Sequence, residues 1–375
     1  MLAAASAAAA AAASAAIPDI APLLIHVGPV VVNGGGSKKI VPSQYNTTDI
    51  MFTRGIALRR DNISGKVSHL VVCGVKKIVV FNPDPNANQK SALITKKIPG
   101  AENLCGIAFD KTGQFLIVVD RHVQRADSKF YVFDATAADQ YSPVKQKVPI
   151  IINNPSGVAI APNGQIYIYN GDIKIYNLDS SGQCTYARSI SILPQPPPPS
   201  SDKPRSTSPK SKTGISDEPT GGIAFDMLGN IVVSKVSTET TADKSSIIIF
   251  NPAGDKLLGK FVCKFGGHTC FNSPENIAFD KDCKHLFVSG TTNFHVFDYL
   301  NNVIPKFNTG IIQDLQPIAS FSGVRDGVDN TQGIAISNEG EIYVCDHRVI
   351  RSSTSPSPAG ANQIKIISFN QSSSA

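Results

Sequence analysis

The chain has 375 residues, 42% of them apolar and 17% charged, with a formal net charge of +6. Most of it can build a core, as one large repeat fold or as two ordinary domains. Four of the basic residues (Lys203, Arg205, Lys210 and Lys212) fall in one polar stretch, so the remainder is nearly balanced and general nucleic-acid affinity does not follow from charge.

Seven cysteines form an odd, widely scattered set, too sparse for a disulfide scaffold. Three N-x-S/T sites, at Asn46, Asn62 and Asn370, are about what a chain this rich in Asn, Ser and Thr shows by chance. The compartment is therefore left open between intracellular and secreted.

Residues 1–19 read as an Ala-rich low-complexity tail. A secretory leader needs a basic start and a stronger apolar centre. No run of about 18 strongly apolar residues occurs elsewhere, so no membrane span is expected. Next, "PLLIHVGPVVV" and "KKIV" read as strands. One of them is expected to close a ring with the C-terminal unit.

From Gly55 a unit recurs six times. Its cores are "GIAL" at Gly55, "GIAF" at Gly106, "GVAI" at Gly157, "GIAF" at Gly222, "NIAF" at Asn276 and "GIAI" at Gly333. By subtraction the starts lie 51, 51, 65, 54 and 57 residues apart. Periods of this length mark propellers and related repeat folds. Each start opens an inner strand with an alanine at its third position. Gly113, Gly164, Gly229 and Gly340 lie seven residues after a start, and Cys283 takes that place in the fifth copy. A second strand rich in β-branched and aromatic residues follows ("FLIVV", "IYIYN"), then a third ("KFYVFD", "IIIFNPAGD") and a more variable fourth. Short strands with turn signals every 8–12 residues or so argue an all-β fold. Asn at the fifth start, where the others carry Gly, suggests that the backbone there adopts positive φ.

The expected architecture is a six-bladed β-propeller with four-stranded blades over residues 20–370, closed by an N-terminal strand, with a tail at 371–375. Residues 194–219 interrupt it with "PQPPPPSSDKPRSTSPKSKTGISDEP", a Pro/Ser/Lys-rich insert that cannot pack a core. It reads as a surface loop or as a docking strip for a proline-recognition domain.

"GIAFDKTGQFLIVVD" and "GIAISNEGEIYVCD" resemble the NHL-repeat family of six-bladed propellers, in which a "P-x-G-I-A-V-D" strand precedes "G-x-I-Y-V-A-D". The resemblance runs from Gly55 to Asn370 and implies the fold, not one activity.

Two groups of residues stand out. The loops before the inner strands should rim one mouth of the central channel. They carry Glu102, Asn103, Asn154, Glu218, Glu275 and Asp329, which converging there could hold Ca²⁺ or a small polar ligand. Similar propellers of the gluconolactonase type place Asn or Asp directly before the Gly of particular repeats to bind a divalent metal. This chain has Arg54, Cys105, Ser156, Gly221 and Gln332 there, and Glu275 before Asn276, so one plausible ligand matches and that activity is not carried over. The second group is a near-duplicate, "DRHVQR" at Asp120–Arg125 and "DHRVIR" at Asp346–Arg351. Its Arg121, His122, Arg125, His347, Arg348 and Arg351 offer a basic face to an acidic partner or to phosphate groups, with Asp120 and Asp346 as candidate ion-pair partners.

No catalytic motif with a fixed signature is present. The leading expectation is a non-catalytic propeller, binding protein partners through its long-loop face as a scaffold. The alternative is a divalent-cation-dependent hydrolase or lyase at the channel mouth. RNA binding comes third, disfavoured by sparse aromatics and the absence of Trp.

Overall fold

The computed structural model describes residues 40–41, 53–61, 64–83, 92–122, 127–136, 141–192, 221–236, 245–265, 268–269, 274–290, 293–308, 311–322, 331–347 and 362–368. The Ala-rich start and the Pro-rich insert lie outside them.

The chain forms an all-β propeller with four-stranded antiparallel blades. Its strands fall into six sheets, each opening with one copy of the repeat. The second sheet is representative: Leu104–Phe109, Phe115–Asp120, Lys129–Asp134 and Ser142–Pro143 pair in that order. In the last sheet Thr331–Ile336, Glu341–His347 and Asn362–Ser368 are joined by Ile40–Val41, with Ile40 opposite Ile367 and Val41 opposite Ile366. Of the two N-terminal runs, "KKIV" supplies that strand.

Burial follows the position of a strand in its sheet. Phe115–Asp120, Ile166–Tyr169 and His285–Gly290 are buried at every residue. Both faces of these second strands are covered by neighbouring sheets, so their sequences are continuous apolar runs. The outer strand Ala92–Lys97 alternates half-buried and exposed residues instead. The core is divided into six clusters, each built chiefly from two sheets. One packs Ile56, Leu70 and Val72 of the first sheet against Tyr343 and Cys345 of the last. Another packs Phe115 and Ile117 of the second against Ile166 and Ile168 of the third.

The repeat-start glycines have a different cause from the one expected. None of Gly55, Gly106, Gly157, Gly222 and Gly333 has positive φ, nor does Asn276. What they need is space. A Cβ on Gly157 would meet the carbonyl of Gly221 at 2.9 Å, one on Gly106 that of Ser156 at 3.3 Å, and one on Gly333 that of Arg54 at 2.9 Å. Inner strands of adjacent sheets come so close that a side chain there would strike backbone. Positive φ belongs to the turn seven residues on, at Gly113, Gly164, Gly229 and Gly340, and at Cys283 with φ 48°.

Those turns are tied by the residue that ends the inner strand. Asp110 Oδ1 accepts from the Phe115 amide at 2.7 Å, Asp226 Oδ1 from the Asn230 amide at 2.8 Å and Asp280 Oδ1 from the His285 amide at 3.0 Å. The imidazole of His285 also lies 2.7 Å from Asp280 Oδ2, which accounts for this histidine without a metal.

One element has no counterpart in the repeat. After Asp298 the chain makes a short helix, Tyr299–Asn302, and a 3₁₀ turn, Ile304–Lys306. It then sends Ile311–Leu315 to pair in parallel with Leu257–Phe265 of the fourth sheet. Ala319–Ser322 then returns as the fourth strand of the fifth sheet.

Candidate functional site at the channel mouth

The residue before each repeat start lies where the inner strands converge, and Cys105, Glu275 and Gln332 are already within those strands and not in the loops before them. Arg54, Cys105, Ser156, Gly221, Glu275 and Gln332, one from each sheet, line a single cavity together with Asn276 and Arg121. It is small, about 40 Å³. At roughly 10–15 Å³ per water it admits a few waters or one functional group of a ligand, not a sugar ring.

Several lining groups are already committed to structure. Ser156 Oγ donates to the Gly221 carbonyl at 3.0 Å, bridging the third and fourth sheets. Cys105 Sγ donates to the Pro155 carbonyl at 3.3 Å. Burial pushes the Cys105 thiol up, against the pull of Arg121 and Arg54, so it is no ready nucleophile. Gly221 is fixed by crowding, because a Cβ there would fall on the Ser234 carbonyl oxygen.

The charged groups of the described lining are Glu275, Arg54 and Arg121. Burial raises the Glu275 carboxyl above its ordinary range, while Arg54 and Arg121 draw it down. Arg54 Nε is shielded from solvent and has no hydrogen-bond partner among the described residues. A carboxyl made more basic by desolvation, beside two guanidinium groups, is the kind of perturbed pair that marks functional sites.

Other expected site residues gather just behind. Asp120, fully buried, accepts from the amides of Glu102 at 3.1 Å and Asn103 at 2.9 Å, and from the Tyr131 hydroxyl at 3.4 Å. It thus holds the rim loop. His122 Nε2 lies 2.9 Å from Glu102 Oε1 and its Nδ1 4.0 Å from Asp127 Oδ2, so this half of the basic face is turned into the rim. Asn154 is buried at φ 49°, and neither side-chain atom has a partner among the described residues. His347 ends its strand. Its side chain, and Arg125, Arg348, Arg351, Glu218 and Asp329, lie outside the described residues. The side chains of four of the six residues of the expected basic face thus fall outside what the structure describes, and Arg121 lines the cavity. Arg54 is the residue that sequence reasoning missed. It was weighed as a metal ligand, for which Arg is useless, and not as a charge.

Calcium, which the rim residues could hold if they converged, finds few donors among the described residues. Ca²⁺ takes six to eight oxygen ligands, several of them carboxylates. Among the described residues the cavity offers one carboxyl, Glu275, and two guanidinium groups, Arg54 and Arg121. Among the described residues no three His, Cys, Asp or Glu side chains are grouped to hold a metal.

Fold and site together define a β-propeller with a polar cavity at its axis. No protein-family model matches the chain, and no curated protein matches it in sequence. Among solved structures it is similar to a gluconolactonase of Xanthomonas campestris, with 14% identity over 89% of this chain and 90% of that one, TM-score 0.51. It is also similar to a functionally unknown protein of Desulfotomaculum acetoxidans, with 14% identity over 79% of each chain, TM-score 0.48. At such identities the likeness establishes the propeller fold, and the NHL resemblance stands at that same level. The first of them corrects the leading functional expectation. A neighbour matched over nine-tenths of its length is an enzyme, so the reading as a non-catalytic scaffold is withdrawn.

Among the described residues no helix is long and apolar enough to cross a membrane.

Proposed function

We propose that the protein is a hydrolase or lyase whose active site is the axial cavity, with Glu275 as its acid–base group and Arg54 and Arg121 as its electrostatic support. The observation that carries this is the convergence of a desolvated carboxyl and two guanidinium groups, brought from three different sheets to one small cavity. The gluconolactonase neighbour supports it by analogy of fold.

In the hydrolytic form, Glu275 removes a proton from water as the water oxygen attacks an ester or lactone carbonyl. The charge that develops on the carbonyl oxygen lies toward Arg54 and Arg121. As the intermediate collapses, the leaving alkoxide takes the proton back from Glu275. A positioned base of this kind contributes about 10²–10⁴-fold, and preorganised positive charge stabilises the oxyanion in a site shielded from water. Each step is written on Glu275, Arg54 and Arg121, since among the described residues no donor set for a metal is grouped.

The same reading takes the six sheets as six blades closed into one ring by Ile40–Val41. It is supported by the pairing of that strand with Asn362–Ser368 and by the approach of Gly333 to the Arg54 carbonyl.

The test is a turnover screen of the full chain on lactones and simple esters, run with and without chelator. Wild type is expected to turn over at least one class in chelator, and Glu275→Gln to lose about 100-fold or more. Absence of turnover on every class, or full activity in Glu275→Gln, would remove the proposal.

A further inference from the structure

We infer that the axial cavity is an anion site, holding the carboxylate or phosphate group of a small ligand between Arg54 and Arg121, where a propeller of this kind would otherwise bind a cation. This deepens the enzymatic reading and rests on it for one point only, that the bound group belongs to a substrate.

Three observations converge. First, the described lining brings together the guanidinium groups of Arg54 and Arg121 with one carboxyl, that of Glu275. Burial raises the Glu275 carboxyl, against the pull of Arg54 and Arg121. Second, the two guanidinium groups come from different sheets: Arg54 stands before the inner strand Gly55–Arg60, and Arg121 follows Phe115–Asp120. Arg121 is anchored there by its amide, which donates to the Asn103 carbonyl at 2.9 Å. Third, Arg54 Nε is hidden from solvent and meets no acceptor among the described residues. A buried donor of a charged group left unpaired is costly, because it has given up water and gained nothing in exchange. A two-oxygen anion answers that deficit, because guanidinium presents paired N–H donors in the geometry of carboxylate and phosphate. The volume agrees, since about 40 Å³ suits one such group with the rest of the molecule outside.

The site would therefore select by charge. Ligands with an exposed carboxylate or phosphate should enter with that group, and neutral molecules of the same size should bind more weakly. Neutralising Glu275 removes the repelling charge of the described lining.

Calorimetric titration of the full chain with oxalate, inorganic phosphate and calcium chloride tests this. Oxalate or phosphate is expected to bind at one per chain, and the tighter of the two identifies the preferred group. Arg54→Gln and Arg121→Gln should each weaken binding about tenfold or more, the loss of one charge-assisted contact. Glu275→Gln should tighten binding severalfold, a gain that a misfolded variant could not produce. Binding of Ca²⁺ at one per chain with no anion binding would overturn the inference, as would anion affinity unchanged in both arginine variants. Anion binding without turnover of any ester would uphold the site while defeating the enzymatic reading. Turnover of neutral esters by a chain that binds neither anion would do the reverse.

Discussion

Glu275 shows how far one residue could be understood from the chain alone. Its place before the fifth inner strand was legible, and so was its convergence with other loop residues. Its neighbours' meaning was not, because Arg54 and Arg121 lie 221 and 154 positions away by subtraction and meet it only in three dimensions. The carboxyl has a measurable signature. Its folded-state affinity for a proton is raised, chiefly by burial and against the pull of Arg54 and Arg121. A raised carboxyl contributes stability at acid pH and loses it as pH rises through the folded value. Glu275→Gln should therefore stabilise the protein at neutral pH more than at acid pH, which urea denaturation at the two pH values would read. As a general base, Glu275 should place the rising limb of the pH–rate profile above the range of an ordinary glutamate. Arg54→Gln should shift that limb further toward alkali. The glycines give a second contrast at this scale. Gly157→Ala would push a methyl against backbone of the next sheet, and strain of that kind costs about 1–3 kcal/mol or more. Gly164→Ala meets open space and bears only the left-handed φ of 86°, about 1–2 kcal/mol. Denaturation midpoints of the two variants should rank in that order if crowding decides the start position.

At the scale of elements, the strands were readable because their burial is so regular. Runs such as "FLIVV" are covered on both faces, and outer strands alternate. What sequence did not disclose is the excursion after Asp298, since a parallel strand given to a neighbouring sheet leaves no periodic trace. Tyr299 anchors that excursion. It is fully buried, and its hydroxyl donates to Asp226 Oδ2 at 2.9 Å. Asp226, which ties its own turn, thereby holds the fifth sheet to the fourth. Tyr299→Phe removes a hydrogen bond to a carboxylate, worth about 1.5–3 kcal/mol. Urea unfolding of Tyr299→Phe should show that loss. Asp226→Asn should lose more, since the Leu228 and Asn230 amides and the Asn230 side chain also rely on its oxygens.

At the scale of the molecule, sixfold repetition in the sequence reappears as six sheets sharing cores with their neighbours. The contribution of Ile40–Val41 to the last sheet can be tested directly. Removing the chain through residue 41 would leave Asn362–Ser368 as an unpaired edge. Such a truncation is expected to lower the thermal midpoint and promote association, and an unchanged midpoint would show that the strand is dispensable. Function was the least legible quantity, because propellers of one shape serve many ends and the decisive charges are scattered over the chain. The parallel strand Ile311–Leu315 has a consequence for how the molecule opens. By lending a strand across the boundary, the fifth repeat cannot come apart without baring an edge of the fourth. Amide protons in these two repeats should accordingly exchange with solvent together, as one cooperative half-opening, while the second and third repeats, which share no strand among the described residues, release theirs separately.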